Sequence, residues 1–286
     1  MNASLSKYQK ILRVIILSLT CFMLCFPLAF VVVGSITDST ELAHHLAPLF
    51  GQGSGFISFP AIPEHPSLMS YVEVLVDNPG FHVLYQNSTF ITTAVLAGQM
   101  LIGIPAAWSF AVYDFKGKNA LFFIYIVLMM LPFQVMLLPN YLVLSNLGLV
   151  DTHLSLIIPG ALSAFPVFIM RHFFQTIPDS LLESARLDGA NEFQIFIRIG
   201  IPLGKSGILA VLILGFFEYW NIVEQPLAYL RSAELWPLSL FTPVIELSNA
   251  GIIFASAIIA AIPAILVFIA GKEYLEQGIG VLSNKG

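Results

Sequence analysis

Six stretches of the chain are apolar enough and long enough to cross a bilayer, which takes about 20 residues per helix. They run approximately Val14–Val33, Phe90–Val112, Leu121–Asn140, Leu154–Arg171, Ser206–Val223 and Ile252–Gly271. Polar residues gather between them. In the C-terminal half the longest polar interruption extends from Pro178 to Pro202. The pattern predicts an all-α polytopic membrane protein with six transmembrane helices, built as a single transmembrane domain over residues 1–286.

The interruption over 178–202 carries more helix punctuation than a plain connector needs. Ser180 followed by Glu183 has capping-box spacing, which would satisfy two orphaned backbone donors at a helix start. Leu181, Leu182 and Ala185 fall on one side of that helix, and Glu183, Arg186 and Asp188 on the other. Gly189 stands where a helix would end, because glycine takes the left-handed conformation without steric cost. Asn191, with Gln194 three residues on, would cap a second short helix, and Gly200 and Pro202 would close it. This is a structured helical hairpin, read as a docking surface.

Composition agrees with the hydropathy pattern: 57% of residues are hydrophobic and 10% charged. The net charge of −5 matters less than the side on which charges sit. Residues 34–87 contain no Lys or Arg, and neither does the connection over 141–153. With the amino terminus in the cytoplasm, all 12 basic residues except Arg231 fall on the cytoplasmic side. Both termini are then cytoplasmic, residues 34–87 form an extracytoplasmic loop, and the 178–202 hairpin faces the cytoplasm. The first apolar stretch follows Lys7, Lys10 and Arg13, and it is too long for a signal peptide, which makes it an uncleaved anchor.

The outer loop contains Gly51, Gly53, Gly55, Pro60, Pro63 and Pro66, and is expected to hold one amphipathic helix near Ser67–Val76. Its histidines, His44, His45, His65 and His82, match no zinc-ligand spacing and read as polar surface. Cys21 and Cys25 share a helix face and read as packing residues. Pro132 and Pro139 fall in the third span and Pro105 in the second, where a proline frees backbone carbonyls and permits a kink. Glu218 sits in the outer half of the fifth span. Either it faces a partner or a watery cavity, or it snorkels to the headgroups beside Tyr219 and Trp220.

Catalytic and nucleic-acid motifs are missing. Gly200 to Ser206 ends in Gly-Lys-Ser but is one residue too short between its glycines for a phosphate loop. No nucleophile elbow or zinc-protease helix occurs, and no basic stripe suits nucleic acid. Any energy source is therefore an ion gradient or another protein.

Taken together, these residues resemble the permease subunits of bacterial ABC importers, in the carbohydrate-uptake branch typified by the maltose-transporter inner-membrane subunits. Glu183-Ser184-Ala185, Gly189 four residues on and Ile201-Pro202 are similar to the EAA loop of that family, with Ser184 where alanine is usual. Asn87-Ser88, Leu131-Pro132, Leu147 to Thr152, Trp220-Asn221 and Pro226-Leu227 also match, and Gln277-Gly278 with Lys285-Gly286 more loosely. The resemblance implies a non-catalytic subunit of the bacterial cytoplasmic (inner) membrane. Its coupling residues would be Glu183, Ser184, Ala185, Arg186, Asp188 and Gly189, seated in a cleft of a cytoplasmic ATPase subunit. This chain would bind no cofactor itself, with ATP and Mg held by two partner ATPase subunits. A homologous second permease and an extracytoplasmic solute-binding protein complete the expected partners, the latter probed by the loop Leu227–Asn249. Gln134, Glu218, Trp220 and Asn221 are the candidate substrate-path residues. The competing reading is an ion-coupled secondary transporter of a small polar solute that works through Glu218.

Overall fold

The computed structural model describes residues 7–51, 62–241 and 249–283. Gly53, Gly55 and Pro60 of the outer loop, residues 242–248 of the last outer loop and the terminal Lys285-Gly286 lie outside the described residues. Among the described residues the regular elements are all helices. In chain order the helices are α1 (Lys7–Ser35), α2 (Ser39–Leu46), α3 (Met69–Val72), α4 (Pro79–Val112), α5 (Lys118–Met130), α6 (Phe133–Asn146) and α7 (Leu154–Ala161). Then follow α8 (Ala164–Phe174), α9 (Asp179–Leu187), α10 (Glu192–Ile195), α11 (Ile201–Leu203), α12 (Lys205–Trp220), α13 (Glu224–Tyr229) and α14 (Ala250–Ser283).

Among the described residues, four stretches are long and apolar enough to cross a membrane: Lys10–Ser35, Pro79–Val112, Leu154–Phe174 and Ala250–Tyr274. Two bent pairs raise the number to six if each is one span. The third expected span is one of these pairs. Helices α5 and α6 meet at 106° within the stretch expected over Leu121–Asn140. The elbow lies at Leu131-Pro132, where proline forces its predecessor into an extended conformation (φ −70°, ψ 126°) and withholds a backbone donor. By contrast, Pro105, Pro139 and Pro263 stay inside their helices.

The chain divides into two compact units, Met1–Phe81 with Thr242–Ile262, and His82–Phe241 with Pro263–Gly286. In the first unit, Leu42, Leu46 and Ala250 form a small core with Phe30 and Phe254 against it. Gly34 is required there, since a Cβ would stand 2.7 Å from the Phe254 ring. Asp38 caps α2 by accepting from the Thr40 N–H at 2.9 Å. Glu41 accepts from the backbone N–H groups of Glu64 and His65 at 3.0 and 2.8 Å, which folds the outer loop back onto α2. The helix expected near Ser67–Val76 is present as α3, continued by a π-helical turn to Asp77. Cys21 and Cys25 do share a face, with sulfurs 3.9 Å apart, and both are exposed. All of α1 from Lys10 to Ala29 is exposed, which suits a helix whose solvent is lipid.

The second unit holds the larger core. Ala107, Trp108 and Phe110 of α4 pack with Val167, Met170 and Phe174 of α8 and Val211 of α12. Leu182 of α9 and Ile195 of α10 join the same cluster, so the hairpin is rooted in the core of the spans. A second cluster unites Ile91 and Val95 of α4 with Leu144, Leu156, Tyr219 and Tyr229.

Candidate functional site

The hairpin over 178–202 is built as the sequence suggests at its middle and differently at its two ends. Helix α9 starts at Pro178, whose extended backbone leaves no side-chain cap. Ser180 therefore lies inside the first turn, and the Ser180–Glu183 capping box does not form. Ser180 instead offers its carbonyl to the Ser184 hydroxyl at 2.8 Å. At the C-terminus Gly189 has φ +84°. The Gly189 N–H bonds Arg186 O at 3.1 Å, and the Ala190 N–H bonds Ala185 O at 3.0 Å. These two bonds are a Schellman motif, which satisfies carbonyls that a helix end otherwise orphans.

Asn191 and Gln194 then form the expected reciprocal cap. The Gln194 N–H donates to Asn191 Oδ1 at 2.8 Å, and the Asn191 N–H donates to Gln194 Oε1 at 3.0 Å. Gly200 and Pro202 do not close this helix. A π-helical turn over Phe196–Gly200 carries the chain into α11, and the break comes at Gly204, where the axis bends by 67° into α12. Gly200 serves packing: a Cβ there would lie 2.6 Å from the Trp108 indole. Gly204 gives the same room to the Phe174 ring. The second limb of the hairpin thus leads, with no loop between, into the span that follows it.

One face of the hairpin is rooted and the other is open. Leu182 and Ile195 are buried, and Ala185 and Ala190 pack against the same core. Leu181, expected on the buried side, is exposed. Glu183, Ser184, Arg186, Asp188 and Gly189 are exposed. So are two large apolar side chains at the turn, Leu187 at 89% and Phe193 at 71%. Across the turn the Arg186 guanidinium donates to Glu192 Oε1 at 2.8 Å and Oε2 at 3.3 Å. The Tyr113 hydroxyl, one residue beyond α4, donates to Glu192 Oε2 at 2.9 Å. Neither Tyr113 nor Glu192 stands out in the sequence, because their pairing depends on a fold that brings positions 113 and 192 together. The charged exposed rim around two bare apolar side chains has the character of a protein-docking surface.

The four candidate path residues differ in their surroundings. Glu218 lines a cavity of about 700 Å³ with Asn140, Ser155, Ser163, Phe165, Tyr219 and Gln225. Gln134 points elsewhere and donates to the Glu224 carboxylate at 3.2 Å. Trp220 is buried, stacked on Phe216 with centroids 5.4 Å apart. Asn221 donates to Phe217 O at 2.9 Å and finishes α12. Behind the cavity lies a group that sequence reasoning missed. Buried Gln99 donates to Gly160 O at 2.9 Å, and the Tyr219 hydroxyl reaches the same carbonyl at 3.4 Å. A lone glutamine inside the second apolar stretch was the available signal.

Comparison with known proteins places this arrangement. Residues 99–281, more than half the chain, match the family described as binding-protein-dependent transport system inner membrane component. The arabinooligosaccharides transport system permease protein AraQ of Bacillus subtilis (strain 168) is 31% identical, with 98% of this chain and 97% of that protein covered. The sn-glycerol-3-phosphate transport system permease protein UgpE of Yersinia pestis is 27% identical over 93% of this chain and 94% of its own length. A solved bacterial ABC transporter involved in the import of the acidic polysaccharide alginate shares the fold, with a TM-score of 0.79, 23% identity, and coverage of 96% of this chain and 99% of that one. The chain belongs to the family of inner membrane components of binding-protein-dependent transport systems.

Proposed function

We infer that this chain is the membrane-spanning permease subunit of an ATP-driven, binding-protein-dependent importer of a carbohydrate. The observation that carries the reading is the hairpin over 178–202: a capped, core-rooted lever with an exposed docking edge on a chain of this family. The relatives named for arabinooligosaccharides and sn-glycerol-3-phosphate bound the cargo class as sugars and polyol derivatives. The ion-coupled alternative draws no support from these relatives, and Glu218 alone does not carry it.

In this account the four long apolar stretches, the bent pair α5–α6 and the helix α12 are six crossings, with both termini and the hairpin in the cytoplasm of a bacterial inner membrane. Two ATPase subunits bind ATP and Mg, and this chain binds neither. Leu187 and Phe193 enter a cleft of one ATPase subunit, with Glu183, Ser184, Arg186 and Asp188 around them. Closure of the ATPase pair pushes the hairpin. Because α10 and α11 lead at the Gly204 bend into α12 with no intervening loop, that push reaches a span directly. A second, homologous permease completes the pathway, and a solute-binding protein delivers the sugar from outside.

Reconstitution tests the reading. The chain purified with its co-expressed neighbours, in liposomes with its binding protein, should take up sugar only with ATP, and the sugar-loaded binding protein should raise ATP hydrolysis. Uptake driven by a proton or sodium gradient without ATP would replace this reading with the ion-coupled one.

A further inference from the structure

Two interrupted helix runs and one carboxylate meet at the cavity among α5, α6, α7, α8, α12 and α13, all within the second unit. Helix α6 starts at Phe133 behind the extended backbone of Leu131-Pro132, and α8 starts at Ala164 behind the extended backbone of Ser163. Neither start has a side-chain cap. The first N–H groups of a helix have no partner inside it, so those of Phe133 and Gln134, and of Ala164 and Phe165, are left over. Leu131, Phe133, Ser163, Ala164 and Phe165 line the cavity, which puts both uncapped starts at its wall.

Glu218 lines the same cavity. It is exposed there, supplies the one formal charge among the described lining residues, and has no ion-pair partner among the described residues. A helix start carries about half a positive charge, so two of them offset roughly one carboxylate. At a rise of ~1.5 Å per residue, Glu218 and the start of α8 both lie about 15–20 Å from the Lys205 and Phe174 ends of their helices. In the topology above that is deep in the membrane, where a charge is tolerated only if something balances it. Here a side chain balances backbone, which leaves the cavity without net charge but rich in donors and acceptors.

Another lining group lacks a full partner. Tyr229 is 1% exposed, and its hydroxyl completes no hydrogen bond of ordinary geometry although Asn140 stands beside it. Burying an unpaired hydroxyl is costly, and a ligand hydroxyl would complete it. Asn140 and Gln225 add amides, and Phe133, Met136 and Phe165 supply an apolar wall. Orphan N–H donors, a carboxylate, amides and an apolar face together suit a ligand with many hydroxyls and apolar C–H faces. The volume of about 700 Å³ falls in the range of small-molecule sites.

We propose that this cavity is a cargo subsite for uncharged saccharides, and that Glu218 is its specificity-determining residue. Its carboxylate offsets the helix starts of α6 and α8 and keeps acidic sugars out. That the saccharide is cargo rests on the importer reading above; the charge balance does not. Without the carboxylate the two helix starts stand uncompensated, and the cavity comes to prefer anions.

The test uses the assembled complex in nanodiscs, which leave both membrane faces open to reagent. Ser163→Cys, in a chain whose Cys21 and Cys25 are replaced, is modified by a cationic and by an anionic methanethiosulfonate without ATP. Adding Glu218→Gln should shift the ratio of the two rates roughly tenfold toward the anionic reagent, since a charge felt across about 6 Å of water moves the two rates in opposite directions. Maltotriose at high concentration should protect Ser163→Cys better than trigalacturonate does, and Glu218→Gln should remove or reverse that preference. Asn140→Cys carries the same measurement should Ser163→Cys fail to assemble. A rate ratio that Glu218→Gln leaves unmoved overturns the charge balance. Modification that neither sugar slows overturns the saccharide subsite. Neither readout needs ATP or a binding protein, so the importer reading can fail in its own reconstitution assay while these results stand.

Discussion

Tyr113 donates its hydroxyl to Glu192 at 2.9 Å, tying the end of α4 to the second limb of the hairpin while Glu192 also holds Arg186 across the turn. The chain thereby fastens the 178–202 hairpin to a span that is not its sequence neighbour. Tyr113→Phe and Glu192→Gln should lower sugar uptake several-fold while ATP hydrolysis by the assembled complex persists, so that more ATP is spent per sugar. An exposed pair of this kind is worth about 0.2–1 kcal/mol, so neither change should unfold the hairpin. The measurement is the ratio of ATP hydrolysed to sugar transported. An unchanged ratio in both variants would remove Glu192 from the coupling path.

Gly189 tests conformation apart from space. Nothing lies within 4 Å of where its Cβ would be, yet its φ is +84°. A side chain there meets no clash and costs about 1 kcal/mol of backbone strain, less for asparagine, which tolerates the left-handed region. Gly189→Asn should therefore keep more uptake than Gly189→Val at equal expression. Equal loss in both would point to a contact role for the bare glycine instead.

Leu187 and Phe193 are the exposed apolar pair at the turn, and neither supports the fold of the chain. Leu187→Asp and Phe193→Asp should leave the protein inserted and heat-stable to within about 0.5 kcal/mol. Co-purification of the ATPase subunit should fall at least tenfold if these side chains anchor it. Normal recovery of the ATPase with both variants would exclude this edge as the docking point.

Asp151, in the loop between α6 and α7, accepts from the backbone N–H groups of Arg231 and Ser232 and has a defined acid response. Donation from Ser232 and Arg231 holds the Asp151 carboxyl below the usual carboxylate range. Its pKa is lower folded than unfolded, so its contribution is complete above the unfolded value of about 3.9 and is lost as pH falls through the folded value. A spin label at Ala233, in a chain lacking Cys21 and Cys25, should stay immobile from pH 8 to roughly pH 5 and loosen only below about pH 4. In Asp151→Gly it should be mobile throughout that range. Loosening near neutral pH would assign the restraint to another group.

Much of this was legible because it is written in local code. The stop at Gly189 and the cap of Asn191 with Gln194 need only a few adjacent residues, and both stand where sequence reasoning puts them. Ser180 and Glu183 show the limit of such code. Their spacing fits a cap, but Pro178 begins the helix and moves Ser180 inside it. The elbow at Leu131-Pro132 had a visible proline, yet Pro139 in the same stretch leaves its helix intact, so proline alone did not mark which site would bend. Gly200 looks like a helix stop until the Trp108 ring is seen against it. Tyr113 with Glu192, and Asp151 with Ser232, are pairings between distant positions. Hydropathy and capping patterns carry no information about them, and the fold alone brings them together.

The central claim is that the turn around Gly189 sits in the cleft of an ATP-hydrolysing partner. Leu187→Cys, in a chain whose Cys21 and Cys25 are replaced, allows this contact to be read by short cross-linkers in an actively transporting complex. The account predicts a cross-link from Leu187→Cys to the ATPase subunit whose yield changes with bound nucleotide. A complex that transports sugar with this cysteine freely labelled by a water-soluble maleimide in every nucleotide state, and never joined to the ATPase, would contradict it.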